Sequence, residues 1–288
     1  MIKRGIYAML SKNQLKDIEK LQRYCEKNVP FQLKLNWEML QGRASDEKHD
    51  FFHYVNDDLV GFLGLYGFGS KIEICGMVKP EYRRQGIFTK LFKEALHVIN
   101  EGNYEEILLN TPASSSSGKA FVMKQSCQYT MTEHQMKHTG QGKQSNEVHK
   151  DDKNLVLRGA VAADLDTEVH LDVSCFGFSE DEAKQYNERI KQDPTQQFYM
   201  IDYNLMTIGM IRVAHYNNEA WIFGFAISPK HQGQGYGKKT LLKIIKQEQE
   251  NGYPLFLEVE TQNAHALKLY EACGFRSYQS QDYYALIH

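Results

Sequence analysis

The chain repeats itself. Val78-Lys-Pro80-Glu-Tyr-Arg83-Arg-Gln-Gly86-Ile-Phe88 lies over Ile227-Ser-Pro229-Lys-His-Gln232-Gly-Gln-Gly235-Tyr-Gly237, with Pro80 and Pro229 149 residues apart. The register holds without a gap for roughly thirty residues, and such self-similarity restricts a chain to architectures built from two copies of one unit. Both copies continue as a helix with apolar residues four apart, Phe92 and Leu96 in one and Leu241 and Ile245 in the other. Each helix meets an Asn/Gly stop, at Asn100 to Gly102 and at Asn251-Gly252, and a short apolar strand follows, Ile107–Leu109 or Phe256–Glu258. A period of about half of 288 residues predicts two domains, and either half is long enough to bury its own core.

Within each half, β and α patterns alternate. In the first, the pattern predicts a helix over Lys12–Lys27 and strands near Phe51–Val55, Leu59–Tyr66 and Lys71–Val78. In the second, a helical region of about Asp164–Lys191 precedes strands over Gln197–Tyr203, Ile208–Val213 and Glu219–Ile227, with turns at Tyr203-Asn204 and Tyr216 to Asn218. The Gly-rich turn, a helix, a strand, a shorter helix over Ala264–Ala272 and final strand material through Tyr284 complete it. The expectation is an α/β fold with mixed sheets. Its boundaries are residues 1–138 for the first domain, a polar linker over 139–153 and 154–288 for the second.

Thirty-four basic against 36 acidic residues give a net charge of −2, so no electrostatic footprint of a nucleic-acid binder is expected. No apolar run approaches a membrane span, and the stretch Met1–Leu10 is too brief for a signal peptide. Five scattered cysteines without a Cys-x-x-Cys pair read as thiols in a reducing compartment, and the expectation is a cytoplasmic protein. His49 and His53, and His134 and His138, have i,i+4 spacing but no third ligand at firm spacing, so no metal is expected. Ser179-Glu-Asp-Glu182 reads as a capping box, although it could also meet a cationic amine.

The turn Gln232-Gly233-Gln234-Gly235-Tyr236-Gly237-Lys238-Lys239 follows a strand and opens a helix. Glycines let backbone approach a ligand, and the first helical N–H groups with the positive dipole end receive phosphate oxygens. The dinucleotide fingerprint fails because Lys238 stands where its third glycine belongs, and the nucleotide P-loop spacing is absent. A loop that serves only tight strand–helix packing would look similar.

The motif Gln232-x-x-Gly235-x-Gly237, followed by Asn263-Ala-His-Ala266-Leu-Lys-Leu-Tyr270-Glu-Ala-Cys-Gly274-Phe275, resembles the two signatures of the GCN5-related N-acetyltransferase (GNAT) family. The whole chain is similar to double-GNAT proteins such as the mycothiol synthases. The resemblance implies two tandem acyl-CoA N-acyltransferase domains, with acetyl-CoA as co-substrate and a small-molecule or peptide amine as acceptor. Its pyrophosphate would lie on the backbone of Gly233 to Lys238. The strand end Phe225-Ala226-Ile227 would pair with the pantetheine arm, and Asn263 would hydrogen-bond it. Tyr270 would be the acid for the CoA thiolate and Glu258 the general base. Attack of an amine on a thioester asks for such a pair. Glu260, two residues on, projects to the same strand face as Glu258, so either could be the base.

The first half departs from this pattern. Phe88 replaces the small residue, and at an offset of 149 Tyr270 falls on Phe121, Asn263 on Ser114 and Glu258 on Leu109. The first domain is therefore expected to be catalytically degenerate, with acyl-CoA binding left open. The alternative for the protein is a non-catalytic acyl-CoA-binding sensor or partner-recruiting module. Acceptor identity, acyl length and oligomeric state are not legible in the chain.

Overall fold

The computed structural model describes residues 10–43, 48–140 and 152–287. Most of the expected linker, residues 141–151, lies outside them. In chain order the elements are α1 (Lys12–Glu26), α2 (Trp37–Gln41), β1 (Asp50–Val55), β2 (Asp58–Phe68), β3 (Lys71–Val78), α3 (Ile87–Ile99), β4 (Glu106–Pro112), α4 (Ser116–Val122) and β5 (Cys127–His138). There follow β6 (Leu155–Gly159), α5 (Leu165–Phe176), α6 (Glu180–Ile190), β7 (Gln196–Tyr203), β8 (Met206–Tyr216), β9 (Glu219–Ile227), α7 (Tyr236–Glu250), β10 (Leu255–Glu260), α8 (Ala264–Ala272) and β11 (Phe275–Leu286). The repeat is visible in this order, and the class is mixed α/β.

Local chemistry places the boundaries. Ser11 and Gln14 form a capping box that starts α1, whose Ile18, Leu21 and Cys25 are buried at helical spacing. Hairpins β1–β2, β7–β8 and β8–β9 turn on the pairs Asn56-Asp57, Asn204-Leu205 and Asn217-Asn218, all at positive φ, the conformation that matches strand twist in two-residue turns. The helical region expected over Asp164–Lys191 is two helices. Gly177 closes α5 at φ 75°, and the Ser179–Glu182 capping box restarts the chain as α6. His134 lies in β5 and His53 in β1, so neither histidine pair sits on a helix.

The chain divides into two compact units, Met1–Thr132 with Gln279–His288, and Glu133–Tyr278. The division therefore crosses β5 and β11. In the first unit the strand order is β1-β2-β3-β4-β11, and Gln281–Ala285 of β11 pair antiparallel with Pro112–Leu108 of β4. The order in the second is β5-β10-β9-β8-β7-β6, and Glu133–Lys137 of β5 pair antiparallel with Glu260–Phe256 of β10. Each unit is thus completed by a strand from the other half of the sequence. One pair in each is parallel, β3–β4 and β9–β10, whereas β1–β2, β2–β3, β4–β11, β5–β10, β6–β7, β7–β8 and β8–β9 are antiparallel.

In the first unit, Val60, Leu63, Ile72, Ile74 and Ile107 pack against α3 on one face of the sheet. Leu59, Phe62, Cys75 and Met77 pack against α1 on the other. In the second, Ile211, Val213, Ile222, Leu255 and Leu257 pack against α7 and α8. Each fully buried Leu or Ile contributes about 1.5–3 kcal/mol, and these faces hold the strands that carry the sites. Among the described residues no helix is long and apolar enough to cross a membrane.

Candidate functional site

In the second unit β9 and β10 run parallel, but their pairing stops at Ile222–Leu257. Beyond it, Phe223–Ile227 and Glu258–Glu260 diverge. The cause lies in β9, where the register against β8 shifts between Met210 and Arg212 and Gly224 sits at φ 52°, a bulge that bends the strand away. Ala226 and Ile227 pair with Met210 and Gly209 on one edge only, so their other edge faces the opening with main-chain groups that an extended ligand could pair with.

The Gly-rich turn caps this opening. Gln232 is extended (φ −68°, ψ 161°), and its side-chain amide donates to the Ile227 carbonyl at 2.8 Å, tying the turn to the strand end. Gln234 likewise donates to the Lys230 carbonyl at 3.2 Å. These two side chains shape the turn. Gly235 stands at the N-cap of α7 with φ 82°, where a Cβ would be strained, and no side chain caps the helix. The first N–H groups of a fifteen-residue helix are therefore presented without a side-chain acceptor, the donor set that a phosphate completes. Lys238 and Lys239 stand in the first turn, and Lys239 is paired with Asp152 at 2.7 Å. Tyr236 is buried with its ring 4.6 Å from that of Tyr203. Gly237 lies where a Cβ would touch Leu269 at 3.4 Å and Phe225 at 3.7 Å, which explains a small residue there.

Asn263 caps α8, its Oδ1 accepting from the Ala266 N–H at 3.1 Å, which leaves its NH2 as the donor half. Tyr270, on the same helix, is buried against Phe275, with ring centroids 6.0 Å apart. Burial pushes its hydroxyl up to about 12, helped by Cys273, so it keeps its proton at any physiological pH.

Glu258 and Glu260 share a strand face but not an environment. Glu258 is half-buried and Glu260 exposed. Glu258 stands opposite Gln135 of β5, whose Nε2 donates to it at 2.8 Å. The Tyr278 hydroxyl reaches Gln135 at 3.4 Å, and its proton is held more tightly than usual by burial and then by the carboxylates of Glu258 and Glu219. Phe256 and Trp221, stacked at 5.0 Å, continue this face, with Tyr278 edge-on to Phe256. Gln135 and Tyr278 gave no signal in the sequence, because β5 reaches β10 across more than a hundred residues.

Both repeats match the acetyltransferase (GNAT) family, over residues 13–118 and 166–275. The chain belongs to this family. Its fold is similar to that of a GCN5-related N-acetyltransferase from Sphaerobacter thermophilus, with TM-score 0.76, 13% identity, and 96% of this chain and 94% of that chain covered. It is also similar to a tandem GNAT protein from the clavulanic acid biosynthesis pathway, with TM-score 0.72, 13% identity and 96% of both chains covered. A [ribosomal protein bS18]-alanine N-acetyltransferase of Haemophilus ducreyi is 46% identical over 59 residues, 20% of this chain and 41% of that protein. The chain thus spans about two fifths of the length of this curated relative.

The first GNAT repeat keeps the backbone frame and differs in its side chains. Arg83 (φ −69°, ψ 161°) and Gly86 (φ 80°, ψ −1°) reproduce the backbone of Gln232 and Gly235, whose N-cap angles are φ 82°, ψ 1°. Arg83 Nε donates to the Val78 carbonyl at 2.9 Å, as Gln232 does to Ile227. Parallel pairing of β3 with β4 stops at Ile74–Leu109. Because β3 lacks the bulge of β9, this stop matches Ile222–Leu257 at an offset of 148. The caps agree, since Ser115 caps α4 and accepts from the Gly118 N–H as Asn263 does from Ala266. The counterparts expected at 149 therefore move by one: Glu258 corresponds to Asn110, Asn263 to Ser115 and Tyr270 to Val122.

Phe88 does not stand alone in its departure. Its ring packs over Gly76, where a Cβ would come within 2.9 Å of it, and meets Phe121 edge-on at 4.7 Å. In the second repeat the pair is reversed, with Phe225 on the strand and Gly237 on the helix. Each repeat supplies one ring and one glycine at this crossing.

Proposed function

We propose that the protein is an acetyl-CoA-dependent N-acetyltransferase with its active centre in the second GNAT repeat. The observation that carries this reading is the meeting of an uncapped helix N-terminus, an open strand edge and a half-buried carboxylate at one opening. Acetyl-CoA would be held by the N–H groups of Gly233 to Lys238, the main chain of Phe225–Ile227 and the Asn263 amide, and when bound it supplies a thioester. Glu258 takes the proton of the attacking amine, with Gln135 orienting its carboxylate. Tyr270 keeps its proton and donates it toward the departing thiolate. Glu260 is the weaker candidate for the base, because its exposure leaves its carboxylate unoriented.

The acceptor is a small-molecule or peptide amine. The family and the N-acetyltransferase named among its relatives support the reaction class. Among the described residues no group of three His, Cys, Asp or Glu could hold a metal ion, and the proposed chemistry calls for none. The experiment is thiol release from acetyl-CoA across a panel of primary amines, including polyamines, amino sugars and peptide N-termini. Amine-dependent release with at least one of them is the expected result, and binding of acetyl-CoA without release by any would favour a sensor instead.

A further inference from the structure

At an offset of 148 the parallel strand pairs of the two repeats correspond, Ile72–Ile107 to Ala220–Leu255 and Glu73–Leu108 to Trp221–Phe256. Glu219 then takes the place of Lys71, whose ammonium pairs with Glu106 at 2.8 Å. Side chains alternate across a strand, so Glu219 and Trp221 of β9 share a face with Phe256 and Glu258 of β10. Trp221 is level with Phe256, Glu219 stands two residues before that level and Glu258 two after it. Four residues of rise put the two carboxylates roughly 13 Å apart along the strands. One face of the second repeat thus carries a carboxylate at each end, where the first repeat has Lys71 and Asn110.

Between these carboxylates runs a row of rings. Phe256 stacks on Trp221 at 5.0 Å and Trp221 on Tyr216 at 6.0 Å, with interplanar angles of 16° and 10°. From β5, on the other side of β10, Lys137 places its ammonium over the Phe256 ring at 5.1 Å. Rings stacked in this way turn their faces to one another and their edges outward, and the edge is the positive side of the ring quadrupole, which takes methylenes and not a charge. The row is open, with Trp221 and Tyr216 half-buried and Tyr278, edge-on to Phe256, 44% exposed. The same face of the first repeat is closed, for Cys75, Met77 and Leu108 are buried, the first two against α1. Glu219 is half-buried, and Trp221 Nε1 donates to its Oε2 at 2.9 Å, which holds the carboxylate at the end of the row. One hydrogen bond leaves a carboxylate with lone pairs for a further donor. Two cations of this face, Lys137 and Arg212, stand level with Phe256 and Phe223, two and four residues along from Glu219.

We propose that the acceptor of the second repeat is a long α,ω-diamine, with its reacting amine at Glu258, its far ammonium on Glu219 and an uncharged chain along the ring edges between them. A charge midway along the chain would meet ring edges and Lys137, so the spacer is apolar. Transfer forms the amide C–N bond and breaks the C–S bond of the thioester as in the reaction above, and the far ammonium keeps its protons. Glu219 is a binding residue that selects for charge and length and takes no part in proton transfer. The inference rests on the reading of Glu258 as the base and adds the far end of the acceptor to it.

Steady-state acetylation of octylamine, 1,4-diaminobutane, 1,8-diaminooctane and 8-aminooctanoate by the full chain tests it, with thiol release as the readout. The expected kcat/KM is about tenfold higher for 1,8-diaminooctane than for octylamine or the short diamine, with the difference in KM. Glu219→Gln is expected to bring the ratio of 1,8-diaminooctane to octylamine close to one. Glu219→Lys, which sets there the residue type of Lys71, is expected to turn the preference toward 8-aminooctanoate. Because octylamine is the denominator, a variant that merely folds poorly lowers both rates and leaves the ratio in place. Equal use of octylamine and 1,8-diaminooctane by the wild type, equal use of the two diamines, or a preference that survives both Glu219 variants would overturn the proposal and leave the catalytic reading of the second repeat intact. So would transfer to other amines and to none of these four. A chain that acetylates no amine at all would overturn that reading too.

Discussion

In the roles proposed for them, acid and base, Tyr270 and Glu258 make opposite demands on their surroundings. An acid must keep its proton until the leaving group needs it, and burial against Phe275 lifts the Tyr270 hydroxyl to about 12. Its protonated form therefore persists below that pH and is lost only above it. Turnover at saturating amine is expected to show no alkaline fall attributable to Tyr270 between pH 7 and about 10, and a rate profile over that range checks it. A base must stay reachable yet oriented, and Gln135 does this for Glu258 from the neighbouring strand. Gln135→Leu is expected to lower kcat several-fold with KM for acetyl-CoA unchanged, whereas Glu260→Gln is expected to stay within about twofold of wild type. Steady-state kinetics of the two variants separates the carboxylates.

At the scale of elements, the turn between strand and helix is the conserved device of the repeat, and its backbone angles agree between halves to within a few degrees. Gly235→Val is expected to weaken acetyl-CoA binding at the second repeat by more than tenfold, since it strains a φ of 82° and puts a side chain at the mouth of the N–H cradle. Calorimetry reads the loss. This much was legible from glycine spacing, as were α1, α8 and the hairpins, whose caps and turn residues are local. The bulge in β9 was not. Gly224 lies in the run Trp221-Ile-Phe-Gly-Phe225 and looks like any strand glycine, yet its extra residue makes the offset 149 in the turn where the paired strands have 148, so that Asn110, not Leu109, is the counterpart of Glu258. A polar residue closing the apolar run Ile107–Leu109 was the sole sign of its place.

For the molecule as a whole, duplication has not produced two self-contained halves. The strand that completes each compact unit comes from the other half of the chain, Gln281–Ala285 beside β4 and Glu133–Lys137 beside β10. Pairings so distant in sequence leave no periodic trace, which is why a linker-based division into 1–138 and 154–288 was the natural expectation. Deleting residues 279–288 is expected to expose the edge of β4 and speed amide exchange over Ile107–Thr111, as hydrogen exchange would report. The division of labour between repeats is tested most directly by amine-dependent thiol release from acetyl-CoA by Tyr270→Phe and Glu258→Gln, each with acetyl-CoA affinity measured alongside. The expected result is a fall of about 10²–10⁴ in kcat for each, with affinity within about twofold of wild type. Turnover retained by both variants would contradict the assignment of transfer to the second repeat.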